Sequence, residues 1–214
     1  MQKLTRDFYE RDTLTVAKAL LGKVVVHQSE EGAVSGMIVE TEGYMGREDP
    51  AAHSYKGKPQ GRVNVQYGPG GFAYVYLIYG MYHCLNVVTQ KEGRPECVLI
   101  RALEPLEGLE LMKKRRRGRQ ERHLCDGPGK LCSALGINMD HYGEDLCGGR
   151  LYIAEGVPVA DHRVAATPRI HIDYANEAAA WPWRFIVKDS PFLSFPGGPG
   201  RQNAAPAAPG MTRM

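Results

Sequence analysis

Two pairs of strand-patterned runs constrain this chain of 214 residues more than any other feature. Lys23-Val24-Val25-Val26-His27 and Ala33 to Glu42 flank a Glu31-Gly32 turn, and Ala73 to Tyr79 and Tyr82 to Thr89 flank Gly80-Met81. Runs of β-branched and aromatic residues joined by so short a turn predict antiparallel hairpins. The second would carry Tyr79 and Met81 at a projecting tip. Helices are predicted around them: one after an Asp12 N-cap and stopping at Gly22, and one opening at Asp126-Gly127-Pro128-Gly129-Lys130 and ending near Gly136. A third is predicted from Pro105, with Leu106, Leu109 and Met112 as its buried stripe. Cys97 to Ala102, Leu151 to Ala154, Ile170 to Asp173 and Arg184 to Lys188 are further strand candidates, and residues 46 to 71 read as a long irregular loop. The expectation is one α+β domain over residues 1–196, large enough for its own core, followed by a disordered Gly/Pro/Ala-rich tail over 197–214.

The five cysteines are an odd number without a Cys-x-x-Cys pair, and the spacing of His123, Cys125 and Cys132 fits no zinc pattern. Buried thiols in a reducing compartment are expected, with no metal. The N-terminus has no apolar core of a leader, and no run approaches the roughly 18 apolar residues of a membrane span. A cytoplasmic protein with no membrane partner is expected. The net charge of +3 is modest, but Lys113-Lys114-Arg115-Arg116-Arg117-Gly118-Arg119 concentrates cations locally. That run fits a solvated helix end or a surface for nucleic acid.

In an extended Val39-Glu40-Thr41-Glu42-Gly43-Tyr44, the side chains of Glu40, Glu42 and Tyr44 share one face and Val39 and Thr41 the other. Two carboxylates so placed fit either a solvated sheet face or a pair for hydrolysing a glycosidic bond. Tyr74, Tyr76, Tyr79 and Tyr82 lie within nine residues and fit either a β-core cluster or a surface that stacks bases. Trp181 and Trp183 read as core or pocket wall. Projecting tyrosines, basic loops and a Gly-Pro-Gly-Lys helix start together favour a surface that takes a phosphate backbone.

Ile38 to Tyr44 followed by Glu48-Asp49-Pro50-Ala51-Ala52-His53-Ser54 resembles the signature of the alkyladenine (3-methyladenine) DNA glycosylases of the mammalian type. So do Tyr74 to Tyr82, Val98 to Pro105, Gly127 to Cys132 and Arg184 to Pro191, in collinear blocks between about Leu20 and Ser194. The resemblance implies a curved antiparallel sheet, no cofactor, and a likeness of roles residue by residue. Glu42 would activate the attacking water, with Arg101 and the carbonyl of Val187 positioning it. Tyr44 and Tyr76 would sandwich an extruded base, His53 would hydrogen-bond to it, and Asn86 would crowd out a guanine amino group. Tyr79 would fill the gap in the duplex beside Met81 and Tyr82. Gly129 and Lys130 would contact phosphate, as would Arg62, although Gln60-Gly61-Arg62-Val63-Asn64 stands where the family shows Thr-Pro-Arg-Asn.

The partner so implied is double-stranded DNA carrying a damaged purine, met by a monomer. The substrates would be 3-methyladenine, hypoxanthine or ethenoadenine, and the product an abasic site. No lysine lies in the Val39 to Tyr44 or Tyr74 to Tyr82 blocks to supply the amine of a strand-cutting enzyme. Two other readings remain: a damage-binding module without catalysis, and a hydrolase of free nucleosides or carbohydrates using Glu40 and Glu42.

Overall fold

β2 (Gly32–Tyr44) is the strand on which the sheet is hung. Across a Glu30-Glu31 turn, one residue before the expected Glu31-Gly32, it pairs with β1 (Val24–Ser29) as far as Val24 opposite Met37. Beyond that point the same edge is taken by β8 (Arg184–Val187), with Ile186 opposite Glu40 and Arg184 opposite Glu42. The other edge pairs with β5 (Glu96–Glu107) from Ser35 to Tyr44. β3 (Ala73–Ile78) and β4 (Tyr82–Thr89) form the second hairpin beside β5, β6 (Leu151–Ala154) closes the far side against β1, and β7 (Val164–Thr167) pairs only with β8. Every pairing is antiparallel. The computed structural model describes residues 1–195 as one α+β domain, and the expected tail lies outside the described residues.

Register shifts on both sides of Glu40 bulge β2 where β8 takes over the edge from β1. Bulges add twist and re-aim side chains. Here the twist lets one strand serve β1 in its first half and β8 in its second.

Among the described residues four α-helices cover the sheet: α1 (Arg6–Tyr9), α2 (Thr13–Ala19), α3 (Leu109–Arg115) and α4 (Pro128–Leu135). Asp12 caps α2 by accepting the Thr15 N–H at 2.8 Å, and Val16, Ala17 and Leu20 are buried on its inner face. α2 is pinned to β2 by Thr41 Oγ1, which donates to Ala17 O at 2.8 Å. α4 ends at Gly136 in the left-handed conformation, and its Leu131, Cys132 and Leu135 join Ile38, Leu85, Ile100 and Leu103 in the core. Each such side chain contributes roughly 1.5–3 kcal/mol on burial.

Several expectations are corrected. Pro105 does not open a helix; it lies inside β5, opposite Gly36 beside a register shift, where a missing N–H breaks no regular ladder. α3 therefore starts at Leu109, and Leu106 is exposed rather than part of a buried stripe. Residues 170–173 form no strand, because Ile170 N–H bonds to a side chain, Glu42, and not to a neighbouring strand. The stretch 46–71 contains two 3-10 helices, Gly46–Glu48 and Gly61–Tyr67. α1 and β7 had no clear sequence signal. Cys125 and Cys132 are buried, with burial pushing the Cys125 thiol up to about 12.

Candidate active site

Strand alternation places Glu40, Glu42 and Tyr44 on one face of β2, as expected, but that face is dry: both glutamates are fully buried. Burying two carboxylates costs several kcal/mol each unless cations and hydrogen bonds compensate. Arg101 on β5 and Arg184 on β8 supply the cations. Arg101 Nη1 lies 3.3 Å from Glu42 Oε1 and its Nε donates to Glu40 Oε1 at 3.0 Å, while Arg184 Nε donates to the same Glu40 oxygen at 2.7 Å. Burial works against the Arg101 charge, but Glu42 and Glu40 outweigh it and hold the guanidinium protonated well above the usual range.

Glu42 Oε1 also accepts the Ile170 N–H at 2.8 Å, and its Oε2 accepts the Tyr44 hydroxyl at 2.8 Å. All three partners are donors, the pattern of an ionised carboxylate. With two lone pairs per oxygen, Oε2 keeps one acceptor position in hand. Burial, and then the charge of Glu42, raise the Tyr44 phenol far above its ordinary range, so it stays a neutral donor.

Tyr44, Arg101 and Ile170 line one cavity of about 760 Å³ together with His53, Tyr74, Tyr76 and Asn86. Glu42 therefore sits directly behind the wall of a chamber large enough for a nucleoside. β3 alternation points Tyr74 and Tyr76 the same way, their ring centroids 5.3 Å apart, and His53 meets Tyr76 edge-on at 4.7 Å. Asn86 on β4 is held by donating Nδ2 to Tyr74 O at 3.0 Å.

His53 Nδ1 is 2.8 Å from the Tyr74 hydroxyl, and its Nε2 has no partner among the described residues. Enclosure by the aromatic walls, and then the charge of Arg62, lower its pKa to about 4. An unfolded histidine takes its proton near 6.5, so this group subtracts stability as pH falls from about 6.5 towards 4 and contributes nothing above. Ring nitrogen shifts of His53 in an NMR titration are expected to stay flat from pH 8 to pH 5; a midpoint near 6.5 would remove the neutral imidazole from the chamber.

At the hairpin tip, Tyr79 and Gly80 both have positive φ, 53° and 69°, and Met81 N–H bonds back to Ile78 O at 3.2 Å. Two left-handed central residues make a type I′ turn, so the turn is Tyr79-Gly80 rather than Gly80-Met81. Tyr79, Met81 and Tyr82 are 79%, 66% and 46% exposed, an apolar wedge on the surface. Gly129 at the start of α4 backs onto this hairpin; a Cβ there would stand 2.9 Å from Tyr82 Cβ. Lys130 is exposed and paired with Asp126 at 2.9 Å, and Arg62 lies over the Tyr76 ring at 5.8 Å. Arg116 and Arg119 of the basic run line the same cavity as Lys130.

The structure thus gathers Glu42, Arg101, Tyr44, His53, Tyr76 and Asn86 at one chamber, with Tyr79, Tyr82, Gly129 and Lys130 along its mouth. Val187 is not brought there: it is buried in the core, pairs with Val164, and its carbonyl receives Ser190 N–H at 3.4 Å. Sequence reasoning missed Ile170, Ser194 and Phe195, which line the chamber, and Arg169, buried behind Tyr44. None has a motif of its own; Arg184 alone stood inside a quoted block. Among the described residues no group of three or more His, Cys, Asp or Glu is placed to hold a metal.

Comparison with known proteins accounts for this arrangement. The methylpurine-DNA glycosylase (MPG) family matches residues 7–191. A protein of Desulfitobacterium hafniense (strain Y51), named "Putative 3-methyladenine DNA glycosylase", is 52% identical over 202 residues, covering 91% of this chain and 99% of its own. Proteins of the same name from Alkaliphilus oremlandii and Methanocella arvoryzae are 48% and 50% identical, covering 90% and 91% of this chain and 98% and 96% of their own. A buried carboxylate behind an aromatic chamber, a projecting tyrosine hairpin and a match of this extent have one common reading: the chain belongs to the methylpurine-DNA glycosylase family and is a DNA glycosylase.

Proposed function

We propose that this enzyme is monofunctional: it extrudes an alkylated or deaminated purine from duplex DNA, hydrolyses its N-glycosidic bond with a water activated by Glu42, and leaves an abasic site. The observation that carries this reading is the buried Glu42 carboxylate, held between Arg101, Ile170 N–H and Tyr44 at the wall of the chamber. A duplex hides the glycosidic bond, so the nucleotide must leave the stack, at a cost of a few kcal/mol that damage reduces. Tyr79, exposed at the hairpin tip, fills the vacated space, while Tyr44 and Tyr76 hold the base.

A purine alkylated on its ring is cationic and gains from tyrosine π-faces a term that an unmodified purine lacks. For hypoxanthine or ethenoadenine the selection falls to hydrogen bonding by neutral His53, and the immobilised Asn86 works against a guanine amino group. As the bond from C1′ to the base breaks, its electron pair leaves with the purine. The Glu42 charge then faces the developing sugar cation, and its free lone pair on Oε2 takes the proton of the water that attacks C1′. Among the described residues Lys130 is the one lysine lining the chamber and is engaged by Asp126, so none of them offers a free amine to attack C1′. The protein acts as a monomer in the cytoplasm on this reading, with Arg62, Lys130 and Gly129 facing phosphates.

Duplex oligonucleotides carrying one hypoxanthine or one ethenoadenine test the reading. Release of free base is expected, with strand breaks only after hot alkali. Breaks without alkali would overturn the monofunctional assignment. Tight binding of lesion duplex without release of either base or of a methylated purine would make the protein a damage-binding module.

A further inference from the structure

The second carboxylate of β2 has no part in the chemistry above, yet it is the most heavily bonded side chain at the site. Glu40 Oε1 accepts from Arg101 Nε, Arg184 Nε and, at 2.8 Å, Ser194 Oγ; its Oε2 accepts Ser194 N–H at 2.7 Å. The Ser194 hydroxyl in turn accepts from Arg101 Nη2 at 3.3 Å. Each nitrogen of the Arg101 fork is thus engaged by a different side chain: Nε by Glu40, Nη1 by Glu42 and Nη2 by Ser194. A planar guanidinium held at three points has no freedom to rotate away from Glu42.

The same network seats the chain after β8 against the chamber. Arg184 Nη2 donates to Phe195 O at 3.1 Å, and the Phe195 ring packs edge-on against His171 at 5.5 Å. Ser194, Phe195 and His171 all line the chamber, and His171 follows Ile170, whose N–H holds Glu42. Glu40, like Glu42, is screened from solvent and lies outside the chamber lining, and its donors come from Arg101, Arg184 and Ser194, the neighbours through which it acts.

We propose that Glu40 and Ser194 are positioning residues that lock Arg101 towards Glu42, and that Phe195, carried in by the same clamp, is a further aromatic wall for the extruded base. This inference rests on the roles of Glu42 and Arg101 proposed above. The carboxylate pair is then divided between two tasks, one group facing the reaction and one holding its cation in place.

Single-turnover excision with saturating enzyme, measured on an ethenoadenine duplex for the wild type, Ser194→Ala, Ser194→Thr and Phe195→Ala, tests it. Ser194→Ala removes one hydroxyl and leaves the Ser194 N–H bond to Glu40, so the fold is retained. Its rate is expected to fall about tenfold, with the duplex dissociation constant and the melting temperature unchanged and the rate recovered in Ser194→Thr. Phe195→Ala is expected to weaken lesion binding about tenfold relative to undamaged duplex. A Ser194→Ala rate within twofold of wild type overturns the positioning role, as does a rate loss that tracks a fall in melting temperature and is not recovered by threonine. Unchanged lesion preference in Phe195→Ala removes that residue from the base site. Wild-type protein that releases no base overturns the glycosylase mechanism itself, a result separate from these.

Discussion

Glu42→Gln is expected to lower the single-turnover rate of base release by about 10³-fold while the affinity for a lesion-bearing duplex stays within threefold of wild type. The amide has the same shape and keeps an oxygen for Ile170 N–H and Arg101 Nη1, so the chamber and the hairpin are undisturbed. What is lost on the proposed mechanism is specific to the transition state: the anion facing the sugar cation, and the base that takes the proton of water. General base catalysis is worth roughly 10²–10⁴-fold, and the expected loss lies within that range. A variant that retains a tenth of the wild-type rate would take Glu42 out of the base role. The measurement also separates Glu42 from Glu40, whose four donors come from Arg101, Arg184 and Ser194.

Asp49→Ala is expected to cost about 3–5 kcal/mol of folding stability, read as the free energy of urea unfolding. Asp49 and Arg169 are both completely buried. The aspartate accepts from Arg169 Nη1 and, at 2.9 Å, Nη2, and also from Met45 N–H at 3.1 Å and Ala51 N–H at 2.9 Å. Arg169 Nη1 donates further to Gly43 O, and its guanidinium lies between the rings of Tyr44 and Trp183, 4.8 and 4.9 Å from their centroids. Without Asp49 the guanidinium would remain buried, with the Gly43 carbonyl as its one hydrogen-bond partner, since its Nε has none. Because this cation backs the Tyr44 ring, the same variant is expected to lose lesion affinity at temperatures where it is still folded. A stability loss under 1 kcal/mol would mean that water reaches the pair.

Much of the local structure could be read directly from residues. The hairpins, the Asp12 cap, the helix from Pro128 to Gly136 and the shared face of Glu40, Glu42 and Tyr44 all follow from short-range rules: strand alternation, turn residues and capping. The shift of the tip to Tyr79-Gly80 was not legible, because a tyrosine at positive φ opposes local preference and is held by the hairpin around it. Pro105 misled for the converse reason. Its fixed φ suits a helix start, but a bulge in the neighbouring strand accommodates it inside β5.

The dryness of the carboxylate face was decided by tertiary structure alone. Whether alternating glutamates meet water or protein depends on what covers them, and here the cover comes from Arg101, Arg169-Ile170 and Arg184 to Phe195, roughly 60 to 150 residues downstream. Those segments carry no periodicity that announces a partner, since their fit is set by charge compensation and not by local backbone preference. The sequence by itself determined the two hairpins, the helices at Asp12 and Pro128, and the family. Only the folded chain determined that both glutamates are sealed from water, Glu42 against Tyr44, Arg101 and Ile170 of the chamber wall and Glu40 under Arg101, Arg184 and Ser194, because burial and ion pairing are properties of segments that meet at long range.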